Sequence, residues 1–295
     1  MSFLLASDGR LVRDLWPKGI GNLDGEHLSP ASLEDWQKVP PTYAEICSWA
    51  RIARDPTAQE RRRENIIVYC QPPSTDSPTL FPISVRVQGI LEACCLRPLG
   101  NWNGDAASAQ RACHTLTLRS NGDTATWSPV LAAVQNIRQL IQRELRGNNI
   151  YQEPQMDLKS DLRLFHRVFE KRQGDGPVTV LSVADDLSQL YPAIAQQWDL
   201  ADRVRIGRRT ENGGRTACTH LTLSPGDFVD VGLTFEIVRQ KDRNGATAFK
   251  VHLSFSHVLQ VASVDVLKKQ DITDKKRSRP PEMEVDQTQA KIQKT

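Results

Sequence analysis

Long apolar stretches are missing from this sequence of 295 residues. No run approaches the ~18 apolar residues that a membrane-spanning helix needs, so we expect no membrane-embedded segment. The first eight residues have no basic lead and only a very short apolar stretch, which predicts that they are not a secretory signal. Hydrophobic residues at 39% and charged residues at 25% instead indicate a globular protein of one large domain or two ordinary ones.

Catalytic signatures are also missing. The chain contains no Gly-x-Ser-x-Gly, no phosphate-binding loop motif and no His-Glu-x-x-His. Asp185 and Asp186 could bind a metal ion, but adjacent acids equally suit the start of a helix. We therefore predict no catalytic residue and no cofactor, and an enzyme of unknown chemistry is only the third functional class.

The cysteines do not follow a metal-binding pattern. They are Cys47, Cys70, Cys94, Cys95, Cys113 and Cys218, and no Cys-x-x-Cys occurs among them. Cys113-His114 and Cys218-x-His220 come closest to zinc-ligand spacing, but both resemble strand segments, in which adjacent residues point to opposite faces. We predict reduced, buried thiols and no metal site.

The net charge of +3 is concentrated at the end of the chain. Residues 268–295 contain eight basic and five acidic residues, which leaves the rest of the chain without net charge. A neutral body argues against a general polyanion binder. Because the last segment is rich in charge and has no apolar periodicity, we predict that it is a disordered basic tail.

A dense basic run inside that tail is the sharpest signal in the sequence. Its cationic residues are Lys275, Lys276, Arg277 and Arg279. A clustered, accessible run of this kind suits the acidic groove of a nuclear import receptor. We predict a nuclear location; if the run is only a solvated, mixed-charge segment, the alternative is the cytoplasm.

Five further arginines fall beside a glycine-containing turn. They are Arg203, Arg205, Arg208, Arg209 and Arg215. The forked guanidinium group suits phosphate, and loops next to β-strands are where barrel-like domains often bind single strands. This cluster is the predicted nucleic-acid-binding site. The alternative is an exposed loop that begins a strand, because few aromatic residues accompany it.

Apolar segments predict several strands. Short apolar segments place them at residues 66–70 and 178–183, and alternation of apolar with polar residues places them at residues 83–91 and 115–118. The clearest alternation runs over residues 229–237 and 249–261, with a turn at Asn244-Gly245 between them. It predicts a long antiparallel hairpin whose apolar face covers other elements, because two strands alone are only marginally stable in water.

Apolar residues at three- and four-residue spacing predict helices. They are expected at residues 43–53, 128–145, 161–172 and 185–204, the last bent at Tyr191-Pro192. Ser128 suits the N-cap of the second of these helices, Pro129 its first position and Gly147 its C-terminal cap.

These elements predict an α+β fold: antiparallel sheet or barrel-like lobes with several amphipathic helices. We divide it into an irregular and helical N-terminal arm (1–65), a first α+β lobe (66–150), a second α+β lobe ending in the hairpin (151–267) and the tail (268–295). Residues 112–123 also resemble residues 217–227, either through duplication or by chance.

Two histidines lie on the last predicted strand. Its alternation puts His257 on the apolar face and His252 on the polar face. A lone histidine in an apolar row is more often a hydrogen-bonded core residue than a catalyst, and no nucleophile can be assigned to His257. The roles of both residues stay open at this point.

The segment 226–261 carries a resemblance. It contains Gly226-Asp227-Phe228-Val229-Asp230-Val231, then Val251-His252-Leu253 and His257-Val258-Leu259-Gln260. It resembles a segment of proteins without an assigned activity that are abundant in mushroom-forming fungi. The resemblance implies an intracellular fungal setting and no site residue.

The favoured function is a nuclear, non-enzymatic protein associated with nucleic acid, with single strands as the form that the arginine cluster suits. The alternative is a protein-interaction or assembly protein, such as a coat or nucleocapsid subunit, which would form a homo-oligomer. Light scattering together with the 260/280 nm absorbance ratio would separate the two.

Overall fold

The computed structural model describes residues 1–22, 28–58, 60–71, 80–145, 161–174, 178–186, 188–210, 212–241, 245 and 247–269. The strands are β1 (Ser2–Leu4), β2 (Lys38–Val39), β3 (Ala50–Arg54), β4 (Asn65–Tyr69), β5 (Ser84–Cys95), β6 (Cys113–Arg119), β7 (Leu162–Arg167), β8 (Phe169–Lys171), β9 (Trp198–Leu200), β10 (Arg205–Arg209), β11 (Arg215–Ala217), β12 (Phe228–Lys241) and β13 (Thr247–Ala262). The longer helices are α1 (Tyr43–Trp49) and α2 (Thr124–Glu144), and residues 264–269 are also helical. Short 3-10 helices span Val12–Leu15, Pro17–Asn22, Pro30–Ser32, Asp35–Gln37, Arg61–Arg63, Ala106–Arg111, Tyr191–Ala193 and His220–Thr222.

The protein has an α+β fold built around a nine-stranded sheet. Strand β5 is its branch point: β12 pairs with one edge, while β1 and β6 share the other, and β7 follows β6. Beyond β12 the sheet continues through β13, β10 and β11. Most pairs are antiparallel, but β1–β2, β1–β5 and β10–β13 are parallel, so the sheet is mixed. No described helix is long and apolar enough to span a bilayer.

The two longest strands form the centre of this sheet. β12 and β13 pair antiparallel from Phe228↔Ala262 to Lys241↔Thr247, and residues 242–244 between them lie outside the described part of the chain. Every second residue of β12 from Val229 to Ile237 is buried in the main core. Helix α2 packs its apolar side on that same core, which also includes residues of α1, β4, β5 and β6.

Helix α2 begins earlier than its sequence predicts. The carboxylate of Asp123 accepts hydrogen bonds from the backbone N–H groups of Ala125 (3.1 Å) and Thr126 (3.3 Å), so Asp123 rather than Ser128 is the N-cap. Pro129 therefore lies inside the helix rather than at its first position. The predicted cap at Gly147 falls outside the described residues.

Three predicted helical segments are strands or turns instead. Residues 50–54 follow α1 and pair as β3 with β4 in a separate two-stranded sheet, because that pairing satisfies the backbone groups of both segments. Residues 161–172 form β7 and β8. In β7, Leu162 and Leu164 are fully buried between exposed neighbours, a two-residue period that the helical spacing of Leu162, Phe165 and Val168 concealed.

The segment 178–204 also differs from its prediction. Residues 178–183 form no strand, and the expected long helix is reduced to the turn Tyr191–Ala193 followed by β9. The carboxylate of Asp186 accepts hydrogen bonds from the backbone N–H groups of Leu190 (3.0 Å) and Tyr191 (2.8 Å). These bonds hold a turn that competes with helix formation.

The partial repeat does not share one structure. Its first copy is strand β6, whereas the second includes the end of β11 and the 3-10 helix His220–Thr222. The main core draws on residues of the predicted arm and of both predicted lobes, and a second, smaller cluster surrounds Phe169 and Tyr191. The domain boundaries stay a prediction.

Candidate nucleic-acid interface

Alternate residues of the central strands face opposite sides of the main sheet. On the core face, Val85 and Val87 of β5 lie beside the apolar row of β12. We call the opposite side the polar face, because its central positions on β5 and β12 are Arg86, Gln88 and Asp230. The candidate site is built on this polar face.

A buried ion pair forms the base of the polar face. The Nε of Arg86 donates to both carboxylate oxygens of Asp230 at 3.1 Å, and its Nη2 donates to Oδ2 at 2.5 Å. Gln88 adds a 3.0 Å hydrogen bond to the same oxygen. The two charged side chains are 8% and 0% exposed, so their opposite charges compensate one another in a site that water hardly reaches.

A β-bulge places His257 next to this pair. Val231 pairs with Val258 and Leu233 with Phe255, so Gly232 alone lies opposite two residues, Ser256 and His257. A Cβ on Gly232 would lie 2.4 Å from His257 Cε1 and 2.5 Å from its Nδ1. The ring therefore depends on a glycine at this position.

The bulge also changes which residues of β13 face the core. Phe255 and Val258 are both in the main core, whereas Leu259 and Val261 pack with Trp16 and Phe228 in a separate cluster. The prediction of one continuous apolar row through Leu259 and Val261, with His257 inside it, is wrong. The alternation resumes one residue out of step after the bulge, which puts His257 on the polar face.

The predicted arginine cluster is divided between the two faces of the sheet. Arg205 pairs directly with His257, and Arg209 pairs with Arg215, so these three arginines share the polar face with His257. Arg208 lies between them in sequence and has the opposite parity. Arg203 precedes β10, and its guanidinium lies 3.3 Å from Asp185.

Three of the five arginines open onto one groove. It has a volume of about 790 Å³, and Arg203, Arg205 and Arg215 line it together with His257. Arg208 and Arg209 are not in its lining. Among the residues that line it, Asp202 is the only acid, so the groove has an excess of positive charge.

The surroundings of His257 lower the pKa of its imidazole and so favour the neutral form. Burial lowers the pKa of its imidazole; the nearby Asp230 raises that pKa, and Arg86, Arg215 and Arg205 lower it. Burial and Lys250 also lower the pKa of His252, but His252 does not line the groove. A neutral imidazole beside several arginines can accept a proton when negative charge enters the groove.

Arg86, Gly232 and Asp230 were not singled out by the sequence. Arg86 and Asp230 occupy polar positions in alternating strands, where a charged residue is ordinarily solvated, and nothing local distinguishes them. Gly232 interrupts an apolar strand, and a glycine there is a known sign of a bulge or of close approach. That signal could have located the site.

The cysteines and the basic run are the other features that the sequence singled out. All six cysteines are free thiols, and the described residues contain no group of three or more side chains arranged to hold a metal ion. The basic run at Lys275, Lys276, Arg277 and Arg279 lies outside the described residues.

The site is interpreted from its own geometry alone. Comparison of the chain with protein-family models, curated proteins and solved structures found no match.

Proposed function

We propose that this chain is a non-enzymatic nucleic-acid-binding protein whose groove holds the phosphate backbone of a single strand. The supporting observation is that Arg203, Arg205 and Arg215 open onto one concave surface that contains a single acid. Guanidinium groups suit phosphate oxygens, and a cationic groove that follows the backbone is how single strands are bound without sequence preference.

The buried pair limits how far Asp230 can offset the positive charge of the groove. Asp230 is engaged by Arg86 and Gln88, and so it does not cancel the charge of Arg205 or Arg215. A concave lining also favours a single strand over a duplex, whose convex surface would not enter a groove of this size.

The curvature of the main sheet supports a barrel-like lobe for this binding. Strand β7 approaches β13, where Ser254 Oγ lies 3.4 Å from His166 Nδ1, and Arg167 of β7 forms a 2.7 Å ion pair with Glu236 of β12. These two contacts support a sheet that curls toward closure, as in the partly open barrels that bind oligonucleotides.

We further propose that the tail directs the protein to the nucleus. The support is compositional: the basic run and all of the net charge lie in residues 268–295. The cytoplasm is the alternative location.

Binding of a fluorescent oligothymidylate as a function of salt concentration tests the groove. Because each phosphate contact to a single strand contributes ~0.7 to the log–log salt slope, Arg205→Ala should weaken binding and reduce that slope by about 0.7. Arg208→Ala is the matched control, since it removes the same charge from the same strand on the opposite face. An absence of binding at low salt, or equal effects of the two variants, would contradict the proposal.

Assembly is the second candidate function, and one observation favours it. Strand β11 forms an edge of the main sheet, and its three residues are exposed. An unpaired edge can add a strand from another chain, although arginine at such an edge opposes pairing. A concentration-dependent oligomer by light scattering, with a 260/280 nm ratio that shows no nucleic acid, would favour assembly over the groove.

A further inference from the structure

His257 lies where an anion that entered the groove would meet it. It pairs with Arg205 on β10, and the bulge turns it toward the space above Gly232. It also lines the groove together with Arg205 and Arg215. The three side chains come from three adjacent strands and share one face of the sheet.

The charges around His257 leave it short of a negative partner. The charged and titratable groups that face it or border the groove are Arg86, Asp230, Arg203, Arg205, Arg215, His166, Asp202 and the amino group of Met1. Asp230 is the acid that acts on His257, and it is already bonded to Arg86 and Gln88. A bound phosphate would supply the missing negative charge.

We infer that His257 binds phosphate as an imidazolium and completes, with Arg205 and Arg215, a three-cation phosphate subsite. The inference rests on the proposed function and names the residue that gives the groove its pH dependence. The proton comes from solvent and is taken up by the imidazole as the phosphate oxygen approaches; no covalent bond is made or broken.

The direction of the pH dependence follows from this proton uptake. The free protein keeps the imidazole neutral, and the complex holds it protonated, so affinity is greatest at low pH and falls as pH rises. An opposite charge at close range shifts a pKa by roughly 1–3 units, so the affinity should fall about tenfold between pH 6 and pH 8.

The experiment measures the affinity for a short oligothymidylate with a 5′-hydroxyl end at pH 6 and pH 8, at constant ionic strength. Neither thymine nor the phosphodiester titrates in this range, so the dependence reports the protein. His257→Gln removes the titrating group and should make the affinity nearly equal at the two pH values. The amino group of Met1 and His166 are unchanged in this variant, and so they cannot account for the difference.

His252→Gln is the matched control. His252 lies on the same strand, and burial lowers its pKa as well, but it does not line the groove. This variant should keep the full pH dependence. Gly232→Ala is a second test, because the added Cβ would displace the ring of His257; its affinity at pH 6 should fall to about that of the unaltered protein at pH 8.

The outcomes separate the inference from the proposed function. If the oligothymidylate binds but its affinity does not change with pH, or changes equally in His257→Gln, the inference is wrong and the groove proposal stands. If no binding occurs at either pH, the proposed function itself fails. Calorimetry in two buffers of different ionisation enthalpy checks the proton count, which should be about one half at pH 7, the average uptake that a tenfold fall over two pH units requires, and zero in His257→Gln.

Discussion

The core face and the polar face of the main sheet are made from alternating residues of the same strands, yet different forces stabilise them. On β12, Val229 and Val231 are fully buried among apolar side chains, and Asp230 between them is equally buried. The two valines gain stability by leaving water, whereas Asp230 depends on Arg86 and Gln88. Burial alone therefore does not distinguish the core face from the polar face.

The difference between the two faces is that the polar face carries charged side chains, some buried in an ion pair and others at the edge of the sheet. Arg86 and Asp230 compensate one another below the groove, and Arg205 and Arg215 lie on the same face at the edge of the sheet. At the bulge formed by Ser256 and His257, the residues of β13 that face the core change from odd-numbered to even-numbered positions. Phe255 and Val258, on either side of the bulge, pack in the core, whereas His257 within it lines the groove.

Truncation on the core face should have the largest effect. Phe255 is fully buried, and Phe255→Ala should lower the free energy of unfolding by ~3–5 kcal/mol, measured by urea denaturation. Thr234→Ala, on the polar face of the neighbouring strand, should cost less than ~1 kcal/mol. Equal losses would mean that the two faces do not differ as described.

Breaking the ion pair between Arg86 and Asp230 should destabilise the fold about as much as truncating Phe255 does. Asp230→Ala leaves the guanidinium of Arg86 buried without its partner, which typically costs ~3–5 kcal/mol. The double variant Arg86→Met, Asp230→Leu should recover most of that stability. If the double variant is as unstable as Asp230→Ala, the loss comes from packing rather than from charge.

One histidine should make the core face sensitive to acid. Burial, together with the adjacent His166, lowers the pKa of His114 to about 4; the Nε2 of His114 lies 3.0 Å from the carbonyl of Arg97. The unfolded chain binds the proton more readily, so stability falls as pH drops from about 6.5 toward 4, by ~3 kcal/mol in total.

His114→Gln tests this dependence, because it removes the titration and keeps an amide that can donate to the same carbonyl. The difference in unfolding free energy between the variant and the unaltered protein should shrink or reverse as pH falls through this window. A difference that does not change with pH would contradict the assignment.

Changes in the tail should leave both faces unaffected. Replacing Lys275, Lys276, Arg277 and Arg279 with Ala should not change the melting temperature, because the run has no core-forming pattern. A fluorescently tagged variant should no longer concentrate in nuclei. Unchanged nuclear accumulation would rule out this run as the import signal.

The local residue pattern was sufficient to predict a strand where one side of that strand packs on the core. The two-residue alternation predicted the strands at β5, β6 and β12, because one side of each meets the core, and a short apolar run predicted β4. It failed over residues 161–172 because Phe165 and Val168 also fit a helical spacing. The helix predicted at residues 185–204 was wrong at Asp186, because a carboxylate can close a turn as readily as it can begin a helix.

The sequence by itself determined the α+β class, the long strands around Val229 and Leu253, the neutral body and the basic tail, since these depend on composition and on local periodicity. Only the tertiary structure decided which arginines meet. The parallel pairing of β10 with β13 joins segments about fifty residues apart, and no local signal specifies that register. That register puts Arg205 beside His257, and the absence of a side chain at Gly232 makes room for the ring.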